Sequence, residues 1–196
     1  MGVGTIGQRS ARALGRVATA TIVAVAFAAA GATAPQARSA DGRWLLRADE
    51  QGRVVQVIDA GSGAVVRRIA VIDRNRQPAR IAHLLDAPPR RSFVALLDDS
   101  AEAWELPYGA DAEPVFSGLV HDSRLREGLA EAGPLPVRRV HPDQPLSKVA
   151  FSPRFDFLVG RAGPGELHVV SLEVRRRIET LVTDGDPDPQ RGVAWQ

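Results

Sequence analysis

The 196-residue chain contains no cysteine. Disulfides are therefore excluded, and so is any group tethered by thioether bonds through C-x-x-C-H. Lysine is almost missing as well: Lys148 is the single lysine among 25 basic residues. An arginine bias of that kind runs the length of the chain and marks no site by itself. Aromatics are sparse at 5%, so each one becomes a landmark in the apolar pattern. Helical periodicity is scarce, and a G-x-S-x-G elbow, a phosphate loop, a dinucleotide-binding glycine fingerprint and any two histidines at metal-ligand spacing are missing. The common hydrolase, nucleotide-binding and zinc classes are left without support.

A long apolar run occurs only near the N-terminus. Val17 to Ala30 is unbroken apolar and small residues, preceded by Arg9, Arg12 and Arg16 and followed by the alanine-rich stretch Gly31 to Ala40. Basic, apolar, small is the order of a secretory signal peptide. The run is shorter than the ~20 residues that span hydrocarbon. The sequence thus predicts a leader over residues 1–40, export to the periplasm, and a cut after Ala32, Ala34 or Ala40. No cysteine stands at the junction to carry a lipid. Loss of the leader, with its four arginines and no acid, turns the net charge from +2 to about −2. A mature chain so close to neutrality lacks the basic excess that nucleic-acid binding needs. What remains, 41–196, is long enough for one domain with its own core.

Three segments of that domain repeat one pattern: 42–71, 90–120 and 154–182. Each starts with a basic residue and an aromatic in a short apolar run (Trp44, Phe93, Phe155 with Phe157). A polar turn follows, then an alternating strand (Val55–Val57, Trp104–Leu106, Leu167–Val169), a second turn and a third strand. Ile81–Leu85 and Val149–Ser152 supply a further strand to the second and third units, and Val193–Trp195 begins another. Four strands recurring on this scale are the blades of a β-propeller; a β-sandwich of the same hairpins is the alternative. The predicted fold is all-β, a partial propeller of about three to four blades. Rings close with roughly 4–8 blades, so the chain reads as part of a longer propeller, or as an arc that closes by association. The proline-rich stretch Leu125–Pro145 reads as a long loop or strap with a short helix over Arg124–Ala132, and Asp184–Arg191 as a second loop.

The densest cluster of polar chemistry is Gly118-Leu-Val-His-Asp-Ser-Arg-Leu-Arg-Glu-Gly128. It places His121 at a strand exit, with Asp122 and Arg124 beside it to orient the imidazole. His83 and His168 lie among apolar neighbours and read as sheet histidines. His141 reads as a loop residue with no evident partner. Arg74, Arg76, Arg80, Arg124, Arg138, Arg139 and Arg191 offer guanidinium forks for carboxylates.

The run from about Asp73 to Trp195 resembles the haem d1 propeller family of denitrifying bacteria, which comprises the d1 domain of cytochrome cd-type nitrite reductase and related haem d1 biosynthesis proteins. The resemblance is carried by Asp73-Arg-Asn-Arg-Gln-Pro-Ala-Arg80, by Ser92–Leu97 with Glu102-Ala-Trp-Glu-Leu106, and by Gly118–Asp122 with Arg124, Glu127 and Gly128. Gly133-Pro-Leu-Pro-Val-Arg-Arg139 and Pro187–Trp195 complete it. Residues 41–72 match only as a generic blade, and the biosynthetic branch is the nearer one.

The resemblance implies an eight-bladed propeller holding haem d1 without a covalent bond near its axis. His121 would stand on the distal side as proton or hydrogen-bond donor, with Arg80, Arg124 and Arg191 around the cofactor. Expected partners are haem d1 or its precursor, a periplasmic electron carrier and haem d1 maturation proteins. Any chemistry would be the late oxidation of the precursor. Two departures count against a nitrite reductase: the family's Pro-His is Pro187-Asp188 here, and the blades that bear the axial iron ligand have no counterpart. A cofactor-free binding propeller and a truncated remnant without function are the alternatives.

Overall fold

The computed structural model describes residues 34–117, 129–131, 133–183 and 188–189. Three four-stranded antiparallel sheets succeed one another along the chain. The first holds β1 (Gln36–Arg38), β2 (Trp44–Ala48), β3 (Val54–Asp59) and β4 (Val65–Ala70) in that order. The third is built the same way, from β11 (Ser147–Phe151), β12 (Phe157–Gly163), β13 (Glu166–Ser171) and β14 (Arg176–Val182). Both are meanders with short turns, as the repeat predicts. The expected leader and the fold overlap, since β1 lies within residues 1–40 and pairs with β2 from Gln36 opposite Arg47 to Arg38 opposite Leu45.

The second sheet departs from that plan. β5 (Ile81–Ala87), β6 (Ser92–Leu97) and β7 (Ala103–Pro107) pair in sequence, with the 3-10 turn Pro88–Arg90 between β5 and β6. The fourth strand was expected near Val120. Instead β8 (Phe116–Ser117) pairs with β9 (Leu129–Ala130) as a separate hairpin, and β10 (Arg138–Val140) takes the outer place beside β7. The cause is local. Tyr108–Pro114 carries two glycine-or-proline breaks and acids with no apolar alternation, so the chain cannot turn straight back along β7. Arg138-Arg139-Val140 follows a proline pair and offers an extended edge. The helix expected over Arg124–Ala132 is not formed at Leu129–Ala130, which are strand; the rest of that stretch except Glu131 lies outside the described residues.

The sheets stack face to face through two apolar layers. Between the first and second lie Trp44, Leu46, Val57, Phe93, Leu97, Trp104 and Leu106. Between the second and third lie Leu85, Val94, Leu96, Val149, Phe151, Leu158 and Val170. Alternation explains the split: in β6, Phe93, Ala95 and Leu97 face one neighbour while Val94 and Leu96 face the other, and all are buried. A strand apolar on both faces is what a sheet sandwiched between two others requires. β4 and β14, by contrast, are mostly exposed. Two glycines permit the closest approaches. A Cβ on Gly160 would stand 2.8 Å from a Val149 methyl, and Gly52 (φ +70°) lets the Arg80 side chain and the Ile81 backbone pass against the β2–β3 turn.

Candidate functional site

The segment between β7 and β10 is the one long excursion in the described fold, and it is fastened at its base. Tyr108 opens it: the phenol donates to the Asp86 carboxylate at 2.9 Å, and its ring packs 5.1 Å from Phe93. Burial together with that carboxylate pushes the Tyr108 phenol well above its ordinary range, and burial also raises Asp86. On the returning side, the Glu131 amide donates to Val115 at 2.9 Å, closing the hairpin root. Arg67, on β4 of the first sheet, donates to the carbonyls of Pro134 (2.9 Å) and Leu135 (3.0 Å) and to the Glu131 carboxylate (3.2 Å). Glu131 in turn accepts the Val137 amide at 2.9 Å. The excursion of the second sheet is thus tied to the first.

Leu135 takes a left-handed backbone (φ 56°) while its side chain is buried in the first apolar layer. Such a conformation costs a leucine roughly 1–2 kcal/mol. Arg67 and the core together hold it there. A cavity of about 300 Å³ lies under the excursion, between Arg43, Trp44, Tyr108, Val115, Glu131 and Pro134. The root strands β8 and β9 flank residues 118–128, the loop singled out from sequence. His121 and Arg124 belong to that loop and lie outside the described residues, as does Arg191.

Arg80 is described, and it sits elsewhere. Its backbone amide donates to Asp99 at 2.8 Å, and its guanidinium grips Asp98 through Nε (3.1 Å) and Nη2 (2.5 Å). Asp98 follows β6, whereas the excursion leaves where Pro107 pairs with Ser92. Five strand steps separate those ends, about 17 Å. The structure therefore does not bring Arg80 to the root of the hairpin.

Sequence reasoning missed a second cluster, at the same end of the sheet as Arg80. Glu102 is only 2% exposed. Its carboxylate accepts Trp104 Nε1 at 2.7 Å and the Arg74 amide at 2.9 Å, and pairs with Arg139. Arg139 also donates to the Ile72 carbonyl at 3.0 Å and lies over the Trp104 ring. Asp73 shapes the adjoining turn by accepting the Asn75 and Gln77 amides, each at 2.8 Å. One carboxylate thus staples the connection between the first two sheets to the outer strand of the second. A signal was present: Glu102, just before β7, continues the alternation of Trp104 and Leu106, so an acid occupied an apolar-face position and needed a partner. Of the remaining histidines, His168 is buried, with Nδ1 2.7 Å from the Pro142 carbonyl and Nε2 2.8 Å from Glu166. His141 joins β10 to the third sheet by a bridge to Arg176, and its Nδ1 has no hydrogen-bond partner. Asp188, the departure from Pro-His, is half-buried.

A family model described as the cytochrome D1 heme domain matches residues 18–121, more than half of the chain. The chain belongs to this family. The match takes in 41–72, the stretch that resembled the family only as a generic blade. A curated relative is the dihydro-heme d1 dehydrogenase of Pseudomonas aeruginosa, 30% identical over 161 residues, covering 81% of this chain and 28% of that protein. A solved structure of dihydro-heme d1 dehydrogenase NirN in complex with DHE superimposes with a TM-score of 0.63 at 28% identity, over 82% of this chain and 30% of that one. The Swd1 β-propeller domain of Myceliophteria thermophila matches in fold alone, at 16% identity and a TM-score of 0.50 over 79% of this chain and 43% of that one. The three stacked sheets are therefore blades of a d1-type propeller, and the chain spans under a third of the length of its d1 relatives. Much of what carries the family resemblance is scaffold: Asp73, Glu102, Trp104 and Arg139 staple two blades, and Pro134 and Leu135 receive Arg67.

Proposed function

We propose that the chain is an exported d1-type propeller segment that binds haem d1 or its precursor and supports the precursor's oxidation. The observation that carries the proposal is the anchored excursion of the second blade. The chain on both sides of the eleven residues that contain His121 is fastened, by Tyr108 before them and by Arg67 to Glu131, Pro134 and the strained Leu135 after them. Long excursions from a rigid β scaffold are held in this way where they carry function.

In this reading His121 donates a proton or hydrogen bond at the distal side, Asp122 and Arg124 set its orientation, and Arg191 neutralises a carboxylate of the macrocycle. The bound group would supply the redox chemistry, with electrons passing to an external periplasmic carrier. The Arg80 guanidinium is paired with Asp98 through Nε and Nη2. It would have to leave Asp98 before it could hold a carboxylate. The second reading is a cofactor-free propeller used as a binding platform, in which Arg80 keeps its partner.

A titration separates the two. Purified protein mixed with haem d1 is expected to shift the visible absorption bands with a saturating end point. His121→Ala is expected to weaken binding and change the bound spectrum. An unchanged spectrum with the wild-type chain would leave the platform reading in place.

A further inference from the structure

We infer that the leader is removed between Ala32 and Thr33: the first blade uses the residues from Pro35 onward, which excludes a cut after Ala40, and the Ala34–Pro35 bond is a poor substrate. The inference rests on the export reading and adds to it the processing site. Three positions are open from sequence, after Ala32, Ala34 and Ala40. The fold excludes one of them, and the chemistry of proline separates the other two.

The Pro35 carbonyl accepts the Ala48 amide at 2.8 Å. Gln36, Ala37 and Arg38 form β1, and Ala37 packs against the apolar layer shared by the first two blades. Beyond the strand, Ser39 makes the turn: its hydroxyl accepts the Trp44 amide at 2.9 Å and donates to Asp41 at 2.5 Å, and its amide donates to the Trp44 carbonyl at 2.9 Å. Ser39 is buried at 3% exposure. A cut after Ala40 would delete this strand and turn, leave β2 as a bare edge, and uncover β5, which β1 covers. Unpaired inner edges of that kind are aggregation sites. Cleavage there is also poor chemistry, since Arg38 would stand three residues before the bond, where a small side chain is required.

The cut after Ala34 would spare β1 but splits an Ala–Pro bond. Pro35 has no amide hydrogen and a fixed φ, and it restricts Ala34 as well, so that bond is a poor substrate for a peptidase that reads extended backbone. The bond after Ala32 has small residues at both reading positions, Ala30 and Ala32, directly behind the apolar run. It leaves Thr33 and Ala34 as a short lead into the strand.

The chain from Met1 should be produced in a bacterial host with an intact export pathway, and the N-terminus of the exported protein sequenced. The expected start is Thr33. A start at Pro35 or Asp41 overturns the inference and leaves export standing. A chain that keeps Met1, or is found only inside the cell, overturns the export reading and this inference with it. Two leaderless versions give an independent check. The one that begins at Thr33 is expected to melt cooperatively, and the one that begins at Asp41 to melt about 4–10 °C lower or to aggregate. Equal melting of the two would show that the fold places no constraint on the cut.

Discussion

The second blade differs from the first and third in one respect. Theirs are closed by turns of a few residues, whereas between β7 and β10 the second runs through thirty residues, from Tyr108 to Val137. Short turns cost little to close, and a long connection costs more entropy with each residue ordered. The blade recovers that cost at two ends of the sheet. At one, Arg67 and Tyr108 fasten the base of the excursion; at the other, Glu102 and Arg139 lock β10, the strand to which the chain returns. In the second blade, polar staples stand at both ends of the interruption. The third blade, uninterrupted, has an ordinary outer strand with mostly exposed side chains.

The sharpest way to break the comparison is to remove the staple. Glu102→Ala strands the Trp104 indole and the Arg74 amide and leaves Arg139 uncompensated. It is expected to cost about 2–4 kcal/mol, read from urea unfolding. A cost below that of an ordinary surface change would show that β10 does not depend on Glu102.

Arg67→Ala attacks the other end. It removes three hydrogen bonds from the base of the excursion. The expected global loss is smaller, about 1–2 kcal/mol. Proteolysis between 108 and 137 should rise well before the rest of the fold is cut. Uniform sensitivity along the chain would contradict a local tether.

Acid sharpens the picture further. Burial lowers His83, with Asp98 opposing, and burial likewise lowers His141, opposed by Glu102. The fold favours the neutral form of each, while the unfolded chain takes up a proton near the ordinary histidine value of about 6.5. Protons therefore favour the unfolded chain. This stability is complete above pH ~6.5 and is lost as pH falls through the lowered folded values. The unfolding midpoint should drop between pH 7 and 5, and less steeply in His83→Leu.

The smallest effect is expected at Arg80. Its pair with Asp98 is solvent-exposed, so Arg80→Ala should leave the melting temperature unchanged. If haem d1 affinity falls in that variant, Arg80 exchanges Asp98 for the cofactor after all.

Alternation around landmark aromatics was enough to read the first and third blades from sequence, because each apolar run pairs with its immediate neighbour. The outer strand of the second blade escaped, since Arg138-Arg139-Val140 is three residues long and two of them are charged. Its place is set by Glu102, thirty-seven residues earlier, and no local pattern reports a partner so distant. The loop with His121 was legible as chemistry. What holds it was not: Arg67 looks like any exposed arginine of an alternating strand, and its partners are backbone carbonyls.

Hydrogen exchange, followed peptide by peptide over 108–137 with and without haem d1, tests the central claim most directly. The account predicts slowed exchange at 118–128 on adding haem d1, little change in the already fastened base, and loss of the effect in His121→Ala. Protection confined to other blades, or none at all, would contradict cofactor binding at 118–128.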